Sequence, residues 1–214
     1  MSNTDSFVDE VNEELRRDQL FGAMRRYGWI AVLAVLALVG GAAWTEWSRA
    51  KDRAAAQAAG DAVYAALEAD DSAARAAALN GLGAGGPVPA LLEASALLEA
   101  GDPEAARAVL TPLADDADLP ARYSDLAGLK LAMIESSDPA QTRTLLERLA
   151  TPGRPYRLLA LEQLALLDLA GGDTEAALSG ARAILEDAEL TPGLRDRMET
   201  LMVSLGTPPG AVSE

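Results

Sequence analysis

Among its 214 residues the chain has no cysteine and no histidine. Without cysteine there is no disulfide framework, whatever the redox state of the compartment. Without histidine the commonest general base and the commonest zinc ligand are missing, so Ser-His and Cys-His catalysis are both excluded. Positive charge is scarce too: 18 Lys and Arg stand against 33 Asp and Glu, for a net charge of −15. Past Ala54 the imbalance is 25 acidic against 11 basic side chains. No basic patch with interleaved aromatics occurs, so nucleic acid is not an expected partner. The acidic surface also disfavours lying flat on an anionic membrane. It reads first as solubility, and secondarily as an attraction for a basic partner. No metal and no cofactor are expected.

Over one stretch charge disappears altogether. The nineteen residues Tyr27 to Thr45 carry none, and most are Ala, Val, Leu, Ile or Gly. About twenty helical residues at ~1.5 Å each cross a hydrocarbon core of about 30 Å. Tyr27, Trp29, Trp44 and Trp47 sit at the two ends, where amphipathic rings prefer the headgroup level. A soluble core helix seldom stays uncharged for so long. A cleaved secretory signal competes, since Gly41-Ala42-Ala43 could mimic its cleavage site. The twenty-six residues before the run are too many for a short basic leader, so an uncleaved anchor is the better reading.

The segment before the anchor reads as a short amphipathic helix, with Phe7, Val11, Leu15 and then Phe21 or Met24 recurring near a helical period. Ser6 or Thr4 suits its cap. Arg25 and Arg26 favour retention on the cytoplasmic side, but with Arg16 and Arg17 they make four against Arg49, Lys51 and Arg53 beyond the span, so charge alone leaves orientation open. After the span, strong helix formers without proline carry the helix outward as a stalk, with Val63, Ala66 and Leu67 on its apolar face. A short Ala-rich helix follows Asp71-Ser72.

Gly81, Gly83 and Gly86 spell G-x-G-x-x-G. That fingerprint has meaning only between a strand and a helix. Here an Ala-rich helical segment precedes it and no β-branched run lies nearby, so a loop is the reading.

From Pro87 the chain repeats itself. Gly101-Asp102-Pro103-Glu104-Ala105-Ala106 returns as Gly172-Asp173-Thr174-Glu175-Ala176-Ala177, 71 residues on. Ser137-Asp138-Pro139 supplies the unit between, so Asp102, Asp138 and Asp173 are spaced by 36 and 35. Leu110, Leu146 and Ala181, then Leu113, Leu149 and Ile184, keep the same register. Each Asp suits the N-cap of a second helix, and Pro103 and Pro139 suit its first turn. Ala106 and Ala177 are small enough for helices to approach. Helix, tight turn, helix at this period is the signature of tetratricopeptide-like (TPR-like) repeats, whose hairpins bury their apolar faces only by stacking. A last helix, with Leu194, Met198, Leu201, Met202 and Leu205 on one face, would cap the stack. The expected fold is all-α: a single N-terminal transmembrane helix followed by a TPR-like helical-hairpin solenoid. Its parts are a cytoplasmic amphipathic segment (1–26), the span (27–47), a stalk and Gly-rich loop (48–86), the repeats (87–206) and a tail (207–214).

The order of parts, with EVNEELRRDQL before the junction MRRYGW, one span and degenerate repeats, resembles the ancillary subunit family of the bacterial Sec translocon. That resemblance implies an N-terminus in the cytoplasm, repeats in the periplasm and anchorage in the inner membrane. It implies two partners: the SecYEG channel and a membrane-anchored periplasmic chaperone of the prolyl-isomerase type. It implies a protein-interaction scaffold for export, without catalytic residues. The alternative is a single-span structural or assembly subunit of another large membrane complex, with Gly40-Gly41 making a close helix contact in lipid. An enzyme would need acid pairs such as Asp115-Asp116 or Glu186-Asp187, but these fall at helix ends, where nothing would shift one pKa.

Stacked hairpins leave a concave surface lined by the first helix of each pair. Those helices are expected at 88–100, 120–135 and 155–170, with Leu and Ala packing on the second helices. Tyr123, Lys130, Tyr156, Arg157 and Gln163 then remain as candidate partner-binding residues, since aromatic and Arg side chains carry much interface energy. The other reading of the two tyrosines is that they complete the core between repeats.

Overall fold

The computed structural model describes residues 3–82, 86–134 and 138–207. The described residues are helical throughout, without a strand. The first helix, α1 (Asn3–Leu67), runs unbroken because no proline interrupts it. The amphipathic face expected at Phe7, Val11, Leu15, Phe21 and Met24 concerns side chains outside the described residues. Two compact units divide the chain, residues 1–60 and 61–214.

In the first unit, the apolar part of α1 starts from Gly28 and has a mean hydropathy of 1.9. It is long and apolar enough to cross a membrane. Its Trp29, Val32, Leu36, Leu38 and Trp44 are all exposed, so none of the described residues covers this surface. Trp44 and Trp47 lie with ring centres 5.5 Å apart and planes tilted by 45°, and Lys51 Nζ lies 5.7 Å from the Trp47 centre. Beyond them α1 is Ala-rich and exposed on every side as far as Asp61.

The second unit opens in the last turns of α1. Next come α2 (Ser72–Asn80), α3 (Pro87–Glu99), α4 (Pro103–Asp115), α5 (Ala121–Met133), α6 (Pro139–Leu149), α7 (Arg157–Ala170), α8 (Thr174–Leu185) and α9 (Pro192–Ser204). Three hairpins, α3–α4, α5–α6 and α7–α8, and the capping helix α9 are therefore present. The turns explain the recurrent Gly-Asp pair. Gly101 and Gly172 adopt φ of 79° and 85°, which only glycine takes without cost, and this ends the first helix. The next amide reaches back inside that helix, Asp102 N to Leu97 O and Asp173 N to Asp168 O, each at 2.9 Å. The Asp carboxylate then caps the second helix, accepting from the Ala105 and Ala176 amides at 3.0 and 2.9 Å. Asp138 does the same for α6 through Ala140 and Gln141.

From α2 onward each helix packs on the next, and the core is a row of four apolar clusters. Ala66, Ala76, Leu79 and Ala96 make the first, and Leu91, Ala94, Ala106, Leu110, Ala127 and Ile134 the second. Leu129, Leu146, Leu149 and Ala160 make the third, and Ala181, Ile184, Leu194, Met198 and Met202 the fourth. The registered positions Leu110, Leu146 and Ala181 are all at or below 1 % exposure, so the repeat period is a packing period. Ala106 and Ala177 are fully buried, as their size required. The G-x-G-x-x-G loop is preceded by α2, not by a strand; Gly81 caps that helix, Gly86 opens α3, and Gly83 lies outside the described residues.

Candidate functional site

The first helices α3, α5 and α7 meet along the stack, and hydrogen bonds join them where sequence reasoning placed the candidate surface. Lys130 on α5 donates from Nζ to Ser95 Oγ on α3 at 2.8 Å. Ser95 in turn donates to the Leu91 carbonyl at 2.9 Å, so its oxygen is free to accept. Tyr156 donates from its hydroxyl to the Arg122 carbonyl at 3.1 Å, spanning 34 residues, or one repeat. Its ring packs against the third apolar cluster. Tyr123 packs against the second cluster, and the Arg122 guanidinium lies 4.7 Å from the centre of its ring. Gln163 is half-buried on α7. The structure thus brings the Tyr156 hydroxyl to the start of α5 and ties Lys130 to α3.

Arg157 is turned elsewhere. Its Nη2 meets both Asp187 oxygens at 2.8 Å and Glu189 at 2.9 Å, in the connection before α9. Bonds to Glu189 and then Asp187 raise its pKa above the usual arginine value. The Asp187 carboxyl is held below the usual carboxylate value, mainly by the backbone N–H of Glu189 and next by Arg157. Asp187, half of one acid pair weighed for catalysis, is therefore the anchor of an ion pair. Asp116, half of the other, accepts the Asp118 amide at 2.8 Å in a turn. Among the described residues, no group of three or more His, Cys, Asp or Glu is arranged to hold a metal ion.

Sequence reasoning named Leu and Ala as the packing residues of the first helices, and the structure adds an acid to each. Each of these helices buries an acid: Glu93 on α3, Asp125 on α5 and Glu162 on α7, at 8, 3 and 6 % exposure. Burying a carboxylate is costly unless it is paired. Glu93 accepts from Asn80 Nδ2 of α2 at 2.8 Å. Asp125 meets Arg154, from the α6–α7 turn, at 3.2 Å through Oδ1, while its Oδ2 is buried without a partner. Glu162 receives a two-pronged bond from Arg197 of α9, at 2.6 and 2.7 Å, which raises the arginine's pKa. Arg143 of α6 bonds Asp168 of α7. The available signal was spacing: Arg197 lies 35 residues after Glu162, and Lys130 lies 35 after Ser95, one repeat each.

The sequence model of a family described as a tetratricopeptide repeat-like domain matches residues 24–152, more than half of the chain. The match takes in the apolar part of α1 and ends after α6. No curated protein and no solved structure matches the chain.

Proposed function

The chain belongs to the tetratricopeptide repeat-like domain family, and from that premise we propose that it is a membrane-anchored protein-interaction scaffold serving the exit side of the Sec translocon. The observation that carries this reading is the joining, in one chain, of an apolar helix with no buried face to a stack of hairpins. Tethering a binding surface at the membrane raises its effective concentration toward whatever emerges there, without any new contact. On this reading the N-terminus is cytoplasmic and the repeats are periplasmic. The partners are the SecYEG channel and a membrane-anchored chaperone of the prolyl-isomerase type. Tyr123, Lys130, Tyr156 and Gln163 form the partner-binding surface along the first helices, and Arg157 joins it only by leaving Asp187 and Glu189.

Two measurements test it. Photo-crosslinking from Gln163 in cells, read by mass spectrometry, is expected to yield translocon and chaperone peptides. Exclusive recovery of one unrelated membrane assembly would instead support the structural-subunit reading, and the export role would be abandoned. Protease added to spheroplasts is expected to degrade the repeats; repeats that stay intact until lysis would reverse the orientation.

A further inference from the structure

The second helices α4 and α6 are each packed on α5 rather than on one another. Between them runs a groove of about 460 Å³, within the size of clefts that hold ligands. None of the five candidate residues on the first helices lines it. Its apolar part comes from Leu131, at the end of α5, and from Leu145. Thr111, Thr142 and Thr144 line it as well. All three hydroxyls donate to carbonyls of their own helix, at 2.8, 3.2 and 3.0 Å. Their hydrogens are thereby used, and what they can offer a ligand is acceptor lone pairs. Gln141 adds an amide with both donor and acceptor capacity.

The charged groups of the groove are Arg107, Arg148 and Asp115. Arg148 is exposed and makes no ion pair among the described residues. Arg122, Lys130 and Arg182 make none either, but none of those three lines the groove. With a net charge of −15, acids are in excess, and Arg143, Arg154, Arg157 and Arg197 each hold a carboxylate. Arg107 comes within 3.8 Å of Glu104, itself largely in solvent. A guanidinium without an ion pair, in a groove that also holds apolar side chains and three acceptor hydroxyls, matches a particular ligand chemistry. Hydroxyl oxygens accept backbone N–H groups of an extended chain, the apolar strip takes a small aliphatic side chain, and Arg148 takes a carboxylate.

We propose that the α4–α6 groove is a second docking site, which binds an extended peptide segment of a partner protein carrying an acidic side chain next to an aliphatic one. The site is separate from the first-helix surface and does not depend on the partners named for it.

The test pans a displayed library of short random peptides against the full chain in lipid nanodiscs. Selected peptides are expected to share a Glu or Asp beside Leu, Ile or Val. Arg148→Glu is expected to weaken their binding about tenfold or more, as loss and reversal of a charge partner does. A peptide with Lys in place of its acid is expected to recover affinity for that variant. Arg148 is exposed, so Arg148→Glu is expected to melt as the parent does, and Thr144→Val tests the hydroxyl wall without changing charge. Peptides without an acidic consensus, or acidic peptides that bind Arg148→Glu as well as the parent, overturn the proposal. So does a gain of affinity restricted to inorganic phosphate, or self-association of the chain that Arg148→Glu abolishes.

Discussion

Leu146→Ala probes the stack at its middle. Leu146 is 1 % exposed and lies with Leu129, Leu149 and Ala160 among α5, α6 and α7. Truncation removes an isopropyl group, and at about 0.8 kcal/mol per buried carbon the transfer loss is about 2.4 kcal/mol. The cavity left behind adds to this, and leucine truncations in tight cores cost about 2–5 kcal/mol, so about 3 kcal/mol is expected here. For a domain of this size each kcal/mol lowers Tm by about 2–4 °C, which makes the expected fall about 6–12 °C. The assay is thermal melting of the full chain in detergent, followed by circular dichroism, with hydrogen exchange read helix by helix. Because each hairpin contacts only its neighbours, protection should fall most in α5, α6 and α7 and fade toward α2 and α9. A fall in Tm of under about 2 °C would contradict the cavity argument. A loss of protection spread evenly from α2 to α9 would refute the nearest-neighbour stack.

Asp173→Ala removes the acceptor for the Ala176 amide; it is expected to cost about 1 kcal/mol in urea unfolding, with Asp173→Asn close to the parent, and equal losses would refute a capping role. Gly180→Val places a Cβ 3.2 Å from the Ala165 Cβ, so overpacking between α7 and α8 should cost about 1–3 kcal/mol; an unchanged urea midpoint would show that the helices can part freely. The lowered pKa of Asp187 gives stability that is complete above the ordinary carboxylate value and is lost as pH falls through the lower folded value. The stability gap between the parent and Asp187→Asn should therefore stay constant at neutral pH and close below about pH 4; a gap that widens in acid would refute it. Arg197→Leu leaves the Glu162 carboxylate buried and unpaired, so it should destabilise more than Glu162→Leu with Arg197→Leu together, and the reverse order in urea unfolding would show the pair to be irrelevant.

Much of the fold was legible because turn chemistry and packing repeat together. Gly-Asp at 101–102 and 172–173 encodes a left-handed stop followed by an N-cap, and both bonds form. The apolar register read from Leu110, Leu146 and Ala181 marks buried positions for a simple reason: a hairpin has one face to bury and the next hairpin repeats it. The candidate site was less legible. Lys130, Tyr156 and Arg157 were chosen as polar or aromatic side chains left over on the first helices, yet each is engaged within the stack. Glu93, Asp125 and Glu162 were not among the candidates, since a carboxylate on a helix ordinarily faces water and nothing next to them in sequence marks them out. Their burial depends on a donor from another element, and only a repeat-length spacing between partners hints at it.

Those buried acids bear on how a stack of such plain composition holds one arrangement. The interfaces between hairpins are mostly alanine and leucine, and one turn of helix offers much the same surface as the next. Apolar area alone would distinguish poorly between the native register and a slip by one turn. A carboxylate matched to a single donor distinguishes sharply, because a slip strands a buried charge at a cost of about 3–5 kcal/mol. Glu93 ties α3 to α2, Asp125 ties α5 to the turn before α7, and Glu162 ties α7 to α9. The ties therefore run along the stack, between elements that the hairpin turns do not themselves fix. Any surface assembled from several repeats, whether on the first helices or in the α4–α6 groove, keeps its side chains in place only if that register holds. A buried polar side chain matched to one donor is in this way a condition for recognition.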